Sequence, residues 1–311
     1  MYCFGIDVGG TTVKCGLFQT DGTLVEKWEI PTRKEDKGEH ILPDVAETIQ
    51  NKISEKGIDK AEVAGVGVGI PGPINAQGEA ACAVNLYWGF KPVAKELSEL
   101  TGLTAKAGND ANVAALGEAW KGAAAGSQNV IMVTLGTGVG GGIISDGKIV
   151  AGAHGAGGEI GHANICHEET AACNCGNRGC LEQYASATGI ASLARKALET
   201  SGKDSVLRQK DSVTAKDVFD AYKEQDSLAA DIVEEFAEYL GRALAVFACV
   251  ADPDVIVLGG GVSKAGQVLV DCVEACYRKY AFSACKDTQI KLATLGNDAG
   301  ICGAAKLILS K

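Results

Sequence analysis

Short apolar segments separated by tight turns open the chain. Residues 2–8, 13–19 and 24–31 carry most of the apolar side chains here, and the turns between them are Gly9-Gly10-Thr11-Thr12 and Asp21-Gly22. Apolar segments of this length that are bounded by glycine turns are typical of β-strands. The opening of the chain therefore predicts a β-meander of three strands.

Helical and strand patterns alternate over the rest of the chain. Residues 41–56 and 227–248 repeat apolar side chains at helical spacing. Further helices are predicted at 91–101, 111–121, 264–279 and 300–309, and further strands at 64–72, 104–107, 129–135, 143–150, 254–258 and 289–293. This alternation predicts an α/β protein. The strand–loop–strand unit at 129–150 has the form of the opening unit, which indicates two related halves.

Composition and charge exclude several classes of protein. The chain has 311 residues and a net charge of −10, whereas nucleic-acid binders and anionic-membrane binders carry an excess of basic residues. No apolar stretch reaches the roughly 18 residues of a membrane span, and the first residues lack the pattern of a signal peptide. We therefore expect a cytoplasmic protein of two lobes that binds neither nucleic acid nor membrane.

Three glycine loops each follow a predicted strand. They are Asp7-Val8-Gly9-Gly10-Thr11-Thr12, Gly136-Thr137-Gly138-Val139-Gly140-Gly141 and Gly259-Gly260-Gly261. Glycine lets backbone N–H groups approach phosphate oxygens, and threonine hydroxyls add donors. Each loop alone is equally typical of a tight hairpin turn, but three of them favour a nucleoside triphosphate. The second loop also fits the dinucleotide motif G-x-G-x-x-G, which opens a helix, whereas a strand is predicted to follow here.

A polar loop concentrates residues that bind metals. His162 is followed by Cys173, Cys175 and Cys180, and one imidazole with three thiolates is a complete tetrahedral ligand set. A closed Cys₃His set is typical of structural zinc. Cys166 and His167 are competing ligands, and we predict that they are loop residues outside this set. Disulfides are not expected in a cytoplasmic protein.

Four carboxylates have positions that suit chemistry. Asp110 lies where a predicted strand meets a helix, so it is a candidate base or a helix N-cap. Glu159 and Glu182 bracket the zinc loop, and folding of that loop on a metal would bring both beside His162 to hold the hydroxyls of a sugar. Solvated surface carboxylates are the alternative for both. Asp7 ends the first strand at a phosphate loop, where a carboxylate commonly serves Mg²⁺.

These motifs together resemble the ROK family of sugar kinases and repressors, most closely its bacterial glucokinases. The resemblance covers essentially the whole chain and is carried by DVGGTTVK at 7–14, VGIPGP at 68–73, NLYWG at 85–89, GNDANVAALGE at 108–118, LGTGVGGG at 135–142, GEIGH at 158–162, CNCGNRGCLE at 173–182 and LGGG at 258–261. It implies an actin-like, hexokinase-type ATPase fold with two ribonuclease-H-like lobes around a cleft and a zinc-bound loop. The implied lobes are 1–112, joined by the C-terminal helix 298–311, and 113–297.

The resemblance also implies a role for each matching residue. Asp110 matches the catalytic base, and it belongs to a sugar-binding set with Asn85, Asn109, Glu159, His162 and Glu182, to which Gly72 is added as a pocket residue. His162 would use one ring nitrogen for sugar and the other for zinc. The phosphate loops are matched by Asp7, Gly9, Gly10, Thr11, Thr12, Lys14, Gly136, Thr137 and Gly138, and the nucleoside loop by Gly259, Gly260 and Gly261.

The activity that the resemblance implies is ATP-dependent phosphorylation of the 6-hydroxyl of glucose, with Mg²⁺, a structural Zn²⁺ and a homodimeric or homotetrameric assembly. Fructokinase and kinases for N-acetylmannosamine or another hexosamine are alternatives, since the same carboxylates serve several hexoses. A repressor of the family would carry a helix-turn-helix domain before Asp7, and we expect none. A sugar sensor without turnover would lack the base or the phosphate threonines, which are present.

Overall fold

This computed structural model describes residues 1–310, which contain ten strands and ten α-helices. The strands are β1 (Tyr2–Val8), β2 (Thr12–Gln19), β3 (Leu24–Pro31), β4 (Val63–Ile70), β5 (Ala105–Asn109), β6 (Val130–Leu135), β7 (Val139–Ser145), β8 (Lys148–Ile149), β9 (Val255–Gly259) and β10 (Gln289–Leu292). The helices are α1 (Glu35–Gly38), α2 (Ile41–Lys56), α3 (Val93–Thr101), α4 (Asp110–Lys121), α5 (Glu182–Ala185), α6 (Ala187–Thr200), α7 (Ala215–Lys223), α8 (Ser227–Ala251), α9 (Gln267–Tyr280) and α10 (Ala299–Leu309).

The first sheet has the strand order β3-β2-β1-β4-β5. Strands β1, β2 and β3 form the predicted antiparallel meander, while β4 and β5 run parallel to β1. A large buried cluster packs on this sheet through the apolar faces of α2 and α3, with Ile49 and Leu97 fully buried. The α/β class predicted from the sequence is confirmed.

The second sheet repeats the order of the first. Its strands are arranged β10-β9-β6-β7-β8, so that β6, β7, β8, β9 and β10 take the places of β1 to β5 in turn. Strands β10, β9 and β6 are parallel, and β7 pairs with β8 in an antiparallel hairpin. This repeated ribonuclease-H-like order confirms that the two halves of the chain are related.

Contacts group the chain into two compact units. The first unit comprises Met1–Gln128, Gly142–Gly158 and the residues from Thr294 on, and the second comprises Asn129–Gly141 and Glu159–Ala293. The lobe boundaries at 112 and 297 stay a prediction about functional domains, and residue 311 of the predicted segment 298–311 lies outside the described residues. Within the first unit, the last helix α10 packs on β1 and β4, so it returns to the N-terminal part of the chain as expected.

Several predicted elements differ in their bounds from the structure, and two of these differences are informative. The strand predicted at 143–150 is the end of β7 and all of β8, with a turn at Asp146 and Gly147, both at positive φ. Strand β7 begins earlier than predicted, at Val139, because its glycines take extended backbone but carry no side chains that reveal a period of two. The helix predicted at 227–248 continues to Ala251.

Helix α10 touches its neighbours backbone to backbone. A Cβ atom on Gly5 of β1 would overlap the Ile301 carbonyl oxygen, and one on Gly67 of β4 would overlap the Ala304 carbonyl oxygen. A Cβ on Gly303 of α10 would overlap the Val113 carbonyl oxygen of α4 in the same way. Glycine at these positions allows α10 to lie directly on the sheet and on α4.

None of the helices within residues 1–310 combines the length and apolar character needed to cross a bilayer.

We expect Gly303→Ala to lower the free energy of unfolding by about 2 kcal/mol or more, because the added methyl group has no space between two helix backbones. Denaturant unfolding followed by circular dichroism measures this change. Gly202→Ala is the matched control, since a Cβ at Gly202 meets nothing within 4 Å. Equal stability of the two variants would show that α10 does not lie in backbone contact with α4.

Candidate active site

The carboxyl ends of three parallel strands meet at one edge of the first sheet. Asp7 of β1 pairs with Gly69 of β4, which pairs with Gly108 of β5. Because neighbouring strands lie about 4.8 Å apart, Asp7 and Gly108 are about 10 Å apart across the sheet. This register brings the first glycine loop and the strand that leads to Asn109 and Asp110 to the same edge.

The first glycine loop is a rigid turn with one open side. The Gly9 N–H donates to the Thr12 carbonyl oxygen at 3.0 Å. Thr32 fixes the loop from outside, because its hydroxyl donates to the Gly9 carbonyl oxygen at 2.7 Å and its N–H donates to the Thr11 carbonyl oxygen at 2.9 Å. A Cβ at Gly10 would meet nothing within 4 Å. The backbone at Gly10 is therefore open to the approach of a phosphate.

Asp7 is a partly buried carboxylate beside this loop. It faces Lys14 across the β1–β2 pair. Burial raises the pKa of the Asp7 carboxyl above its ordinary value, and the nearby Lys14 ammonium opposes this rise. A carboxylate oxygen is a ligand that Mg²⁺ prefers, and a divalent cation here would offset the cost of burying the charge. The residues present fit the predicted Mg²⁺ role.

Asn109, not Asp110, is the N-cap of α4. The Asn109 side-chain oxygen accepts from the Asn112 N–H at 3.0 Å, and its amide nitrogen donates to the Gly72 carbonyl oxygen at 3.1 Å. Asp110 is the first helical residue, and its carboxylate accepts from the N–H of Ala111 at 2.8 Å. Since an amide has two donor hydrogens and two acceptor lone pairs, Asn109 keeps capacity for one further bond of each kind.

Asn85 lies at the tip of a turn in the first unit. The N–H and carbonyl groups of Ala83 and Trp88 pair with each other, and the buried Leu86 and Trp88 side chains anchor the turn. Asn85 itself is exposed. Gly72 has a φ of +112°, and a Cβ there would lie 2.7 Å from the Cys82 carbonyl oxygen. Gly72 therefore packs against the Cys82 backbone, next to this turn, and its carbonyl oxygen accepts from the Asn109 side chain.

The second glycine loop rests on the segment after the zinc loop. The Gly136 N–H donates to the Gly138 carbonyl oxygen at 2.9 Å, and the Thr188 hydroxyl donates to the Thr137 carbonyl oxygen at 2.8 Å. The Glu182 carboxylate accepts from the Val139 N–H at 3.0 Å. A Cβ at Gly138 would overlap this carboxylate, so the present position of Glu182 depends on glycine there. A strand follows the loop, as predicted, which excludes the dinucleotide motif.

His162, Cys173, Cys175 and Cys180 come together in the second unit, with one ligand atom of each within 4.8 Å of all the others. The Cys175 and Cys180 sulfurs are 3.7 Å apart, and the His162 Nδ1 is 3.9 Å from the Cys173 sulfur. Zn–S bonds of about 2.3 Å place tetrahedral sulfur ligands about 3.8 Å apart, so the cluster fits zinc. A disulfide, at about 2.05 Å, does not fit.

The environments of the three thiols differ. Burial raises the pKa of Cys180 to about 12 and also raises that of Cys173. The backbone N–H of Asn177 lowers the pKa of Cys175. A metal ion that binds all three as thiolates must therefore displace protons, and its binding is coupled to folding of the loop.

Glu159 and His162 are one 3₁₀ turn apart, since the His162 N–H donates to the Glu159 carbonyl oxygen at 3.2 Å. Glu182 begins α5, and its carboxylate oxygen is 3.7 Å from the Cys173 sulfur. The structure thus places the Glu182 carboxylate next to the Cys₃His cluster to which His162 belongs. Cys166 and His167 lie outside the four-residue cluster, as predicted.

The third glycine loop borders a cavity of 340 Å³. Gly259 ends β9 and pairs with Thr134 of β6, so this loop lies beside the second one at the edge of the sheet. Gly260 has a φ of +82°, and a Cβ there would lie 2.6 Å from the Leu135 backbone. The cavity is lined by Ala187, Thr214, Ala215, Lys216, Phe219, Asp220, Lys223, Gly261, Val262, Lys264 and Ala265.

Sequence reasoning missed most of this cavity lining. Ala187 connects the cavity to the second glycine loop, because its N–H donates to the Gly136 carbonyl oxygen at 2.8 Å. Residues from Thr214 to Lys223 belong to α7 and its N-cap, a helix that the sequence analysis did not assign. A volume of this size, between about 300 and 1,000 Å³, suits a small-molecule ligand.

The two units together define a class of protein. It has two ribonuclease-H-like sheets, glycine loops at their carboxyl edges, and a Cys₃His loop inserted between β8 and β9. The sequence model of the ROK family matches residues 3–311, and the chain belongs to this family.

Related proteins match over nearly the full chain. A glucokinase of Halalkalibacterium halodurans is 44% identical, over 98% of this chain and 94% of its own length. The crystal structure of a ROK hexokinase from Thermus thermophilus has a TM-score of 0.82 and 32% identity, and the match covers 98% of this chain and 97% of that one. A ROK family glucokinase from Streptomyces griseus, solved with glucose and AMPPNP, has a TM-score of 0.75 and 30% identity, with 99% of each chain covered. The predicted hexokinase-type fold is confirmed.

We expect purified protein to contain about one zinc ion per chain by elemental analysis, because the four ligand atoms fit a closed tetrahedral site. Cys175→Ser should lose the zinc and lower the melting temperature, since metal binding contributes to folding of the loop. Cys166→Ser is the matched control, being in the same loop but outside the cluster, and it should keep the zinc. Full zinc content in Cys175→Ser would refute this ligand set.

Proposed function

We propose that the protein is an ATP-dependent hexose kinase that phosphorylates the 6-hydroxyl of glucose. The observation that carries the proposal is the register of the first sheet, which aligns Asp7, beside a phosphate loop, with the strand that leads into Asp110. Phosphoryl transfer commonly uses one carboxylate to hold the Mg²⁺ that binds the phosphates and another to accept the proton of the attacking hydroxyl. The 44% identity to a protein named glucokinase supports glucose as the acceptor.

Asp110 is the proposed base. An alcohol is a weak nucleophile at neutral pH, and a carboxylate within hydrogen-bond reach contributes about 10²- to 10⁴-fold by accepting its proton. Asp110 suits this task because Asn109 performs the capping of α4. The N-terminus of α4 is held by the Asn109 cap and by the Asn112 amide, which donates to the Gly157 carbonyl oxygen at 2.8 Å. A base on a fixed helix terminus needs little reorganisation to reach the hydroxyl.

The second unit offers a place for the nucleotide. A nucleoside fits the cavity beside Gly261, and the triphosphate would extend from there toward the second glycine loop, which Ala187 connects to the cavity. Gly10 and the threonines of the first loop would bind phosphate oxygens through N–H and hydroxyl groups. Mg²⁺ bound with the nucleotide, with Asp7 as its ligand directly or through water, would neutralise phosphate charge. A triphosphate analogue bound to the Streptomyces griseus relative supports ATP as the donor.

The residues proposed for sugar recognition keep free hydrogen-bonding capacity or lie beside the Cys₃His cluster. Asn109 has one donor and one acceptor left for a sugar hydroxyl. Glu159 and Glu182 supply carboxylate acceptors near His162. Since Nδ1 of His162 faces the thiol cluster, zinc would fix the ring and leave Nε2 for the sugar. A structural zinc held by this cluster would therefore orient His162 toward the sugar and would supply no chemistry of its own.

The homodimeric or homotetrameric assembly and the cytoplasmic location stay predictions from the sequence and the family resemblance.

Asp110→Asn should lower kcat at least 100-fold, because the amide cannot accept the hydroxyl proton. Glucose affinity should change little, since the amide keeps the size and the acceptor oxygen of the side chain. Steady-state kinetics and glucose titration by calorimetry measure the two effects. Asp204→Asn, at an exposed carboxylate, is the control. Near-normal kcat in folded Asp110→Asn protein would exclude Asp110 as the base.

A panel of acceptors tests the choice of sugar. With Mg-ATP, we expect ADP release with glucose to exceed that with fructose, N-acetylglucosamine and N-acetylmannosamine in kcat/KM, since the site matches relatives named glucokinase. A preference for an N-acetylated sugar would keep the mechanism and replace the substrate. No turnover with any sugar by folded, zinc-loaded protein would contradict the kinase proposal and favour a sensor.

A further inference from the structure

Glu118 is a fully buried carboxylate in α4 that the proposed mechanism does not use. Its oxygens accept from three backbone N–H groups: that of Ala123 at 2.7 Å, that of Leu295 at 2.8 Å and that of Thr294 at 3.1 Å. Gly122 is required beside it, because a Cβ there would overlap the carboxylate. A buried carboxylate is costly unless it accepts such bonds, so these contacts hold Glu118 in one orientation.

These hydrogen bonds join two segments that are far apart in sequence. Ala123 follows the end of α4, whereas Thr294 and Leu295 begin the segment that leads into α10. Glu118 therefore fixes the start of that segment relative to α4. Gly117, the residue before Glu118 on α4, is also close-packed, since a Cβ there would overlap the carbonyl oxygen of Ala299, the first residue of α10.

The first turn of α10 lies against Asp7. A Cβ on Gly300 would be 2.6 Å from both Cγ and Oδ2 of the Asp7 carboxylate. Gly300 is the second residue of α10 and follows Leu295 by five positions. A shift of the 294–298 segment would therefore move the first turn of α10 and change the space that the Asp7 carboxylate occupies.

We propose that Glu118 is a positioning residue for Asp7. By fixing residues 294 and 295, it sets the position of the first turn of α10, and Gly300 in that turn confines the Asp7 carboxylate next to the first phosphate loop. This inference rests on the proposed function, in which Asp7 serves the Mg²⁺ of the bound nucleotide. Glu118 touches neither substrate nor metal and acts through α10.

Two variants test this role from opposite ends of the connection. Glu118→Gln keeps the shape but presents an amide N–H₂ to backbone N–H donors, so at least one donor loses its acceptor. Gly300→Ala adds a methyl group directly against Asp7 and does not disturb the Glu118 bonds. Both should raise the Mg²⁺ concentration required for half-maximal ADP binding by about tenfold, which corresponds to about 1.4 kcal/mol of lost interaction between a displaced Asp7 carboxylate and the cation.

The measurement is calorimetric titration of ADP at a series of Mg²⁺ concentrations, with the Kd for glucose determined by the same method. We expect the glucose Kd to stay within twofold of wild type, because Asn109 and Asn112 hold the N-terminus of α4 independently of Glu118. Saturating Mg²⁺ should restore ADP affinity in both variants. A residue that only supports the fold would show neither this selectivity nor this rescue.

Ile49→Val is the control for lost stability, because Ile49 of α2 is buried in the core cluster that packs on the first sheet through α2 and α3. It should lower the melting temperature without changing the Mg²⁺ requirement. The positioning role is overturned if folded Gly300→Ala and Glu118→Gln need no more Mg²⁺ than wild type. It is also overturned if ADP and glucose affinities fall together in proportion to stability. Because the readout is ADP binding, it gives a result even if the protein phosphorylates no hexose, so failure of the proposed function is distinguishable.

Discussion

Backbone contact between α10 and its neighbours is the constraint on which the first unit depends. Close approach of helix to sheet at Gly5 and Gly67, and of helix to helix at Gly117 and Gly303, leaves no room for even one methyl group. Glycine inside a strand or helix costs about 0.5 to 1 kcal/mol relative to alanine, so four such positions are retained against their intrinsic cost. Because packed backbones cannot slide without large strain, α10, α4, β1 and β4 form one rigid frame. The frame places Asp7 at the end of one strand and the base candidate at the start of α4.

The second unit is organised by a different interaction. The thiol and imidazole cluster gathers residues from a glycine-rich, polar loop that has little apolar surface to bury. Glu182 connects this cluster to the second glycine loop, since one carboxylate oxygen accepts from the Val139 N–H and the other lies near the Cys173 sulfur. Zinc binding would therefore order the second glycine loop as well as His162. The Cys₃His cluster, Glu182 and the second glycine loop are linked by direct contacts in this unit.

Sequence patterns predicted those features that depend on neighbours along the chain. The opening meander, the long helix α8 and the Cys₃His cluster follow from local periodicity and spacing, and the structure confirms all three. Contacts over long separations left no local signal. Glu118 bonds residue 294 across 176 positions, and Thr32 fixes a loop 23 residues away, so neither was predicted. The start of β7 was missed because three consecutive glycines carry no side-chain pattern. The role of Asn109 as N-cap was missed because Asn109 and Asp110 are both good capping residues, and only geometry separates them.

Identification of the product of turnover tests the central claim most directly. The protein is incubated with Mg-ATP and glucose, and ³¹P and ¹H nuclear magnetic resonance spectra show where the phosphoryl group is attached. The proposed function, with Asp110 as the base, predicts glucose 6-phosphate and ADP in equal amounts, with little inorganic phosphate. Release of inorganic phosphate alone would mean that water, and not the sugar, is the acceptor. Phosphate on any other hydroxyl would contradict the assignment of the site to the 6-hydroxyl.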